Sequence, residues 1–389
     1  MPRTTGKTPT TPPAARPPGA TGAPGAPGGA GARGGAGAQG GAGAAPGAPG
    51  IPAHARLLLL TNGKRTAQVV YALAEAGVAD ALADGDLTVD QLAEKTATDP
   101  GALRRMLRCA AAVGVFTLRQ DGTVGMTEMS EALRSDVPDS QRDMILFNGS
   151  EAVSRPYADI TTALRTGRPV FDEIFGTDFF GYLRAHPETG RLFDRAMSRM
   201  SAATTQTLLD SYDFGRFRSV ADVGGGQGHF LAALLARHPH VHGTLVDQPQ
   251  VVAGVPAFFA RQGLSDRVAA VSGDFFGELP RGHDAYVLKA VLHDWDDEAA
   301  VRILGNIRRA IGTDSGARLL VLEHVVAPGD TWDQGKFLDI DMMLRFGGRE
   351  RELGEWHELL EAGGFTLVSE PAAGRWAALE CRPSGPVPR

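Results

Sequence analysis

The chain has 389 residues and a formal net charge of −6, long enough for two domains with cores of their own and too acidic for a protein that works mainly on nucleic acid. Its two cysteines, Cys109 and Cys381, lie far apart and suit a reduced, cytoplasmic protein better than a disulfide framework. No apolar run approaches bilayer length, and no continuous apolar h-region marks a secretory signal, so no membrane partner is expected.

Residues 1–50 are nearly all Gly, Ala, Pro, Thr and Arg. They cannot bury enough apolar surface to offset the entropy of ordering, and the expectation is a disordered tail. Glycine does not hold a strict three-residue period, which removes a collagen reading. From His54 the stretch "HARLLLLTNGKRTAQVVYALAEAGVADAL" spaces apolar residues at three and four, the mark of helices. Thr88 and Asp90 can cap a short helix, Asp99-Pro100 can start another, and "FTLRQDGTVGMT" turns at Asp121-Gly122 as a hairpin. Two short helices followed by a hairpin outline a winged helix over residues 51–150. Arg104, Arg105 and Arg108 on the second helix raise DNA binding. Three arginines in an acidic chain supply little phosphate-binding energy, and a solvated face is the favoured reading.

Residues 151–215 read as a helical connector with aromatic-rich stretches, "PVFDEIFGTDFFGYL" and "RLFDRAMSRMSAAT". From Ser219 short strands alternate with helices: "SVADVGG", "VHGTLVDQ", "RVAAVSGDFF", "HDAYVLKAVLH" and "ARLLVLEHV", followed by "FTLVSEP" and "RWAALECRP". Such alternation predicts a Rossmann-like α/β domain over residues 216–385, its parallel sheet covered on both sides.

Ligands of an open parallel sheet bind beyond the carboxyl ends of its strands. The first strand runs into Asp222 and a G-x-G-x-G turn, Gly224, Gly226 and Gly228, where a missing Cβ allows close approach to the backbone. The turn lacks the Gly-Lys-Ser/Thr of a P-loop, and His229 stands where a dinucleotide pattern needs its last glycine. Asp247 ends the second strand, where a carboxylate can accept two ribose hydroxyls. Asp274 ends the third and can accept from an adenine amino group, with Phe275 beside the ring. Two carboxylates after a glycine turn, without a phosphate cradle, point to a nucleoside lacking pyrophosphate, and S-adenosylmethionine fits.

The motifs "DVGGGQG", "LVDQPQVV", "GDFFGELP", "LKAVLHDWDD" and "GGRERE" stand in order. With them, residues 54–381 resemble the small-molecule O-methyltransferases related to caffeic acid and hydroxyindole O-methyltransferases, and most closely their bacterial antibiotic-tailoring branch. The resemblance implies a Rossmann-like catalytic domain preceded by a winged-helix domain that makes a homodimer rather than binding nucleic acid. It also implies that Lys289 lies near the cofactor.

Transfer to oxygen needs a base close to the acceptor hydroxyl. His293 follows the fourth strand on the same sheet edge as Gly224, Asp247 and Asp274, and position and motif together make it the candidate general base. In the family, acids flank the catalytic histidine, and the role carries over to Glu323 and Glu350. Phe175, Phe179, Phe193, Met197, Trp295, Met342 and Met343 are candidates for the wall against a flat aromatic acceptor, though several can be ordinary core. The string "HPHVH", residues 238–242, is the most metal-like, but it precedes the second strand at the wrong edge, and catalysis is expected to need no metal. Two rivals remain open: a homologue that binds the cofactor yet performs hydroxylation, decarboxylation or pericyclic chemistry, and a winged-helix regulator acting on DNA.

Overall fold

The computed structural model describes residues 52–313 and 316–385; the expected tail over residues 1–50 lies outside the described residues. In the N-terminal part, helix Val89–Thr96 starts on a reciprocal capping box between Thr88 and Gln91. Helix Pro100–Ala112 starts on Asp99, whose carboxylate accepts from the Ala102 amide at 2.7 Å. Each cap satisfies amides that the first helical turn leaves unpaired. Strands β1 (Leu87–Thr88), β2 (Thr117–Leu118) and β3 (Thr123–Gly125) form a small antiparallel sheet in the order β1-β3-β2. The hairpin turns through Gly122 at φ +86°, a conformation glycine adopts without strain. Leu73, Val78, Leu92, Leu107, Phe116 and Val124 fill the core beneath. Arg105 and Arg108 face solvent and Arg104 is half-buried against Gly122.

A 25-residue helix, Pro187–Ser211, leads into the large sheet. Its strands are β4 (Ser219–Val223), β5 (His242–Asp247), β6 (Val268–Ser272), β7 (Ala285–Lys289), β8 (Arg318–Val326), β9 (Arg351–Glu352), β10 (Phe365–Leu367) and β11 (Arg375–Pro383). They lie in the order β10-β11-β8-β7-β4-β5-β6. The five strands from β6 to β8 are parallel, as expected, while β11 runs antiparallel to β8 and β10 antiparallel to β11. A short hairpin can supply the last pair only in that sense, because a parallel return needs a crossover. The chain order reverses between β4 and β7, which opens a crevice above their carboxyl ends.

Both faces of the sheet are covered, so β8 reads "RLLVLEHVV" with apolar residues pointing each way. Leu319 and Val321 pack with Ile303, Leu304, Ile307 and Trp356 on one side. Leu320 and Leu322 pack with Leu208, Phe230, Leu231 and Leu234 on the other. Two-residue alternation then assigns Glu323 to the face of Leu319 and Val321, where it is fully buried. No helix among the described residues is long and apolar enough to cross a membrane.

Candidate active site

The glycine turn after β4 is shaped mainly by the protein's own packing. A Cβ on Gly224 (φ +73°) would stand 2.9 Å from Val291 Cγ2, one on Gly225 2.7 Å from Asp222 Oδ2, and one on Gly228 (φ +85°) 2.7 Å from the Phe259 ring. Only Gly226 (φ +57°) has nothing within 4 Å, so the open side of the turn lies there. Asp247, at the tip of β5, reaches across and accepts from the Gly226 amide at 2.8 Å through Oδ2, and from the Gln248 amide at 2.7 Å through Oδ1. Burial raises its pKa, partly offset by those two amides. Asp222 is buried with Oδ2 unpartnered. Burial first, and the charge of Asp247 after it, push Asp222 up to about 7 against the opposing pull of Lys289.

Lys289 ends β7. Its Nζ donates to Ser201 Oγ at 2.9 Å and lies 5.5 Å from the Trp376 ring centre. Burial lowers its pKa, while Asp222 on one side and Glu323 on the other oppose the shift. The lysine therefore stands electrostatically between the glycine turn and the next cluster.

That cluster sits on a bend. Ala290 has φ +54°, a left-handed conformation that costs a residue with a Cβ about 1–2 kcal/mol, and the next residues form the short 3-10 turn Leu292–Asp294. Glu323 fixes the bend from below, its Oε1 accepting from the Val291 and Leu292 amides at 3.0 Å each. β9 pairs with the end of β8 through Val325–Arg351 and brings in Glu350. The Glu350 Oε1 to His293 Nδ1 distance is 2.7 Å, and Glu323 Oε2 lies 3.5 Å from the same nitrogen. Asp294 Oδ1 stands 3.6 Å from Nε2. Burial alone would pull His293 down, but Glu323, Asp294 and Glu350 outweigh it and push the imidazole up to about 10. Burial likewise raises Glu323 to about 7, with His293 opposing and Glu350 adding to the rise.

Asp274 is exposed, and its Oδ1 accepts from the Phe276 amide at 2.8 Å. Phe275 stands 3.7 Å from the Cβ position of Gly224, and its carbonyl is held by Asn306 Nδ2 at 2.7 Å. The open Gly226, the unpartnered Asp222 oxygen, the Asp247 carboxylate and the Phe275 ring fit a nucleoside with a charged sulfur, and nothing here resembles a pyrophosphate cradle. Asp247→Ala is expected to weaken S-adenosylhomocysteine binding by about 10- to 100-fold, the effect of losing hydrogen bonds to a charged acceptor. Titration calorimetry checks it, and unchanged affinity would move the nucleoside elsewhere.

Of the acceptor-wall candidates, Phe175, Phe179, Phe193 and Met197 gather with Phe147, Phe171 and Tyr182. Phe179 is only 1% exposed, so it is core, and the half-buried other three are the ones able to face a ligand. Trp295 lies apart, edge-on to Phe275 and Phe276. Met342 is buried, and Met343 packs with Ala163, Val170 and Leu344. His240 Nε2 lies 2.7 Å from the Gly215 carbonyl and His242 begins β5, so the "HPHVH" string is edge structure.

Sequence reasoning missed three contributors. Asp294 and Arg351 sat inside quoted motifs as neighbours of the chosen residues. Asp339 Oδ1 accepts from the Glu350 amide at 2.8 Å. Arg351 is fully buried and donates to the Leu292 and Trp295 carbonyls and to Asp297.

Comparison with known proteins gives matches to two family models, an O-methyltransferase domain over residues 157–366 and an O-methyltransferase dimerisation domain over residues 58–136. Phenazine O-methyltransferase of Lysobacter antibioticus is 38% identical, over 86% of this chain and 97% of its own; its crystal structure superposes with a TM-score of 0.78. The 8-amino-8-demethylriboflavin N,N-dimethyltransferase of Streptomyces davaonensis is 40% identical over 86% of this chain and 96% of its own. Human N-acetylserotonin methyltransferase in complex with S-adenosylmethionine is 25% identical, with a TM-score of 0.75, over 87% of this chain and 99% of that one.

Proposed function

The chain belongs to the S-adenosylmethionine-dependent O-methyltransferases of secondary metabolism, and from that premise we propose that it methylates a phenolic hydroxyl of an aromatic small molecule, with His293 taking the hydroxyl proton and no metal ion taking part. The observation that carries the reading is the imidazole held between Glu350 and Glu323 at the tips of β7 and β8, beside the glycine turn.

S-adenosylmethionine, when bound, supplies a methyl group on a positively charged sulfur. Asp247, Asp222, the Gly224–Gly226 turn and Phe275 are the residues that would hold it. Glu350 accepts from Nδ1 and so leaves Nε2 as the nitrogen that meets the acceptor. The acceptor O–H bond breaks, its proton goes to Nε2, and Glu323 and Glu350 stabilise the imidazolium that results. The relatives above are named for a phenazine, a flavin and an acylated serotonin, all aromatic, which favours a flat acceptor against Phe175, Phe193 and Met197. A dimerisation domain, together with Leu57 to Leu60 lying more than half exposed along one helix, supports a homodimer.

His293, Glu323 and Glu350 also bring three possible metal donors within 4.8 Å of one another. The short Nδ1–Glu350 contact argues for a proton rather than an ion between them. Incubation with S-adenosylmethionine and a panel of phenols is expected to give products heavier by one methyl, at a rate that EDTA leaves unchanged. Conversion without that mass gain favours the non-methylating rival, and a rate lost to EDTA and restored by magnesium overturns the metal-free reading.

A further inference from the structure

Arg351 opens β9 directly after Glu350 and is fully buried, unusual for a guanidinium unless its donors are taken. They go to the turn that carries His293. Nη1 donates to the Leu292 carbonyl at 3.2 Å, and Nη2 to the Trp295 carbonyl at 3.2 Å and to Asp297 Oδ1 at 2.8 Å. The two carbonyls stand on either side of His293 and Asp294 in the chain. The turn between them closes through the Trp295 amide, which donates to the same Leu292 carbonyl at 3.3 Å.

Opposite charges therefore hold this turn from two sides. Glu323 takes the Val291 and Leu292 amides, and Arg351 takes the Leu292 and Trp295 carbonyls, so the N–H and the C=O of Leu292 are both bound by charged side chains. Such charge-assisted bonds are the stronger kind. Asp297, the first residue of helix Asp297–Ile311, anchors the guanidinium to the start of that helix. The Trp356 ring centre, 5.2 Å from the guanidinium carbon, packs against it. Gly348, where a Cβ would meet the His293 carbonyl, belongs to the same segment. Residues 348–351 thus supply the close approach, the acid and the clamp in one run.

We infer that Arg351 is a positioning residue for the proton transfer: by fixing the backbone of residues 292–295 it keeps the imidazole with Nδ1 on Glu350 and Nε2 toward the acceptor. This rests on the reading of His293 as the base. Arg351 touches no reacting atom, and its effect passes through His293. A misplacement of about 1 Å at a catalytic group can cost about 100-fold in rate. Lysine reproduces the clamp only in part, because an ammonium lacks the planar fork that reaches two carbonyls and a carboxylate at once. A guanidinium that served packing alone would affect stability and leave the kcat and pH profile of the folded enzyme as they are.

The test is kcat for methyl transfer to a phenol, with its pH profile, in Arg351→Met and Arg351→Lys, each alone and combined with His293→Gln. Arg351→Met is expected to lower kcat by about 10- to 100-fold, and Arg351→Lys by less. Calorimetry should find S-adenosylhomocysteine affinity within about threefold of native in both, since the clamp lies away from the glycine turn. The rising limb of the profile should move to lower pH, because an imidazole released from Glu350 and Glu323 loses the carboxylates that hold its proton. In the His293→Gln background either substitution is expected to change kcat by less than about twofold, since an effect exerted through the imidazole vanishes with it. Asp297→Asn, at a side chain 54% exposed, carries the same comparison if neither arginine variant folds. A native-like kcat and limb in the folded variants, or the same loss with and without His293, overturns the inference alone. A native limb that follows the phenol and ignores Glu323→Gln overturns the base reading and the inference with it.

Discussion

His293→Gln is expected to lower kcat by about 10²–10⁴, the usual contribution of a positioned general base, with S-adenosylhomocysteine affinity within about threefold of native. The two effects separate because the imidazole stands on the bend after β7, while Asp247 and the glycine turn lie on the tips of β4 and β5. Glutamine preserves a polar group against Glu350 but cannot accept a proton near neutrality. Loss of the imidazolium also leaves Glu323, Glu350 and Asp294 without their common partner. Breaking a buried ion pair costs about 3–5 kcal/mol, so a lower melting temperature should accompany the loss of rate. Calorimetric titration with S-adenosylhomocysteine shows whether the variant is folded and loaded. A folded, loaded variant retaining more than a tenth of the native rate would remove His293 from the chemistry.

The tips of β4 and β5 were legible because each strand is a short apolar run that stops at or next to a carboxylate, Asp222 and Asp247, whereas Lys289 at the end of β7 came only with the family resemblance. Sheet direction beyond β8 was not, since alternation in "RWAALECRP" states which residues are buried and not which neighbour pairs with them. Glu350 could be placed only by family resemblance. Its local sequence is a charge run, and what makes it a buried acid is the pairing of β9 with the end of β8, a contact between residues far apart in the chain. Gly348 belongs to the same contact: a Cβ there would stand 2.0 Å from the His293 carbonyl oxygen, so the glycine lets the Glu350 strand pass against the bend. Apolar spacing likewise could not separate Phe179 from Phe193, because a fully buried ring and a half-buried one have the same periodicity. Arg345 shows the reverse error, a charged residue at the end of a mixed helix that composition assigns to the surface and tertiary packing puts inside.

The second large effect is on pH. With the imidazole pushed up to about 10 by its three acids, most of His293 carries a proton at neutral pH, and only the neutral form can take another from the acceptor. The rate should therefore rise about tenfold per pH unit through the neutral range and level off only in the alkaline range. Stability should move the opposite way. A group whose folded pKa is raised holds its proton more tightly when folded, so the stabilisation is full below the unfolded value of about 6.5 and is lost as pH climbs through about 10. The raised pKa of Glu323 adds a separate decline at lower pH, between its ordinary value of about 4.5 and about 7. Glu323→Gln removes one of the carboxylates that raise the imidazole, and is expected to move the rising limb to lower pH. An acceptor phenol also ionises near 10, and would give a limb that follows the acceptor from one substrate to the next. Profiles of two phenols of different acidity, measured on the native enzyme and on Glu323→Gln, separate these cases. A limb that tracks the phenol and ignores the substitution would show that solvent, rather than His293, removes the proton.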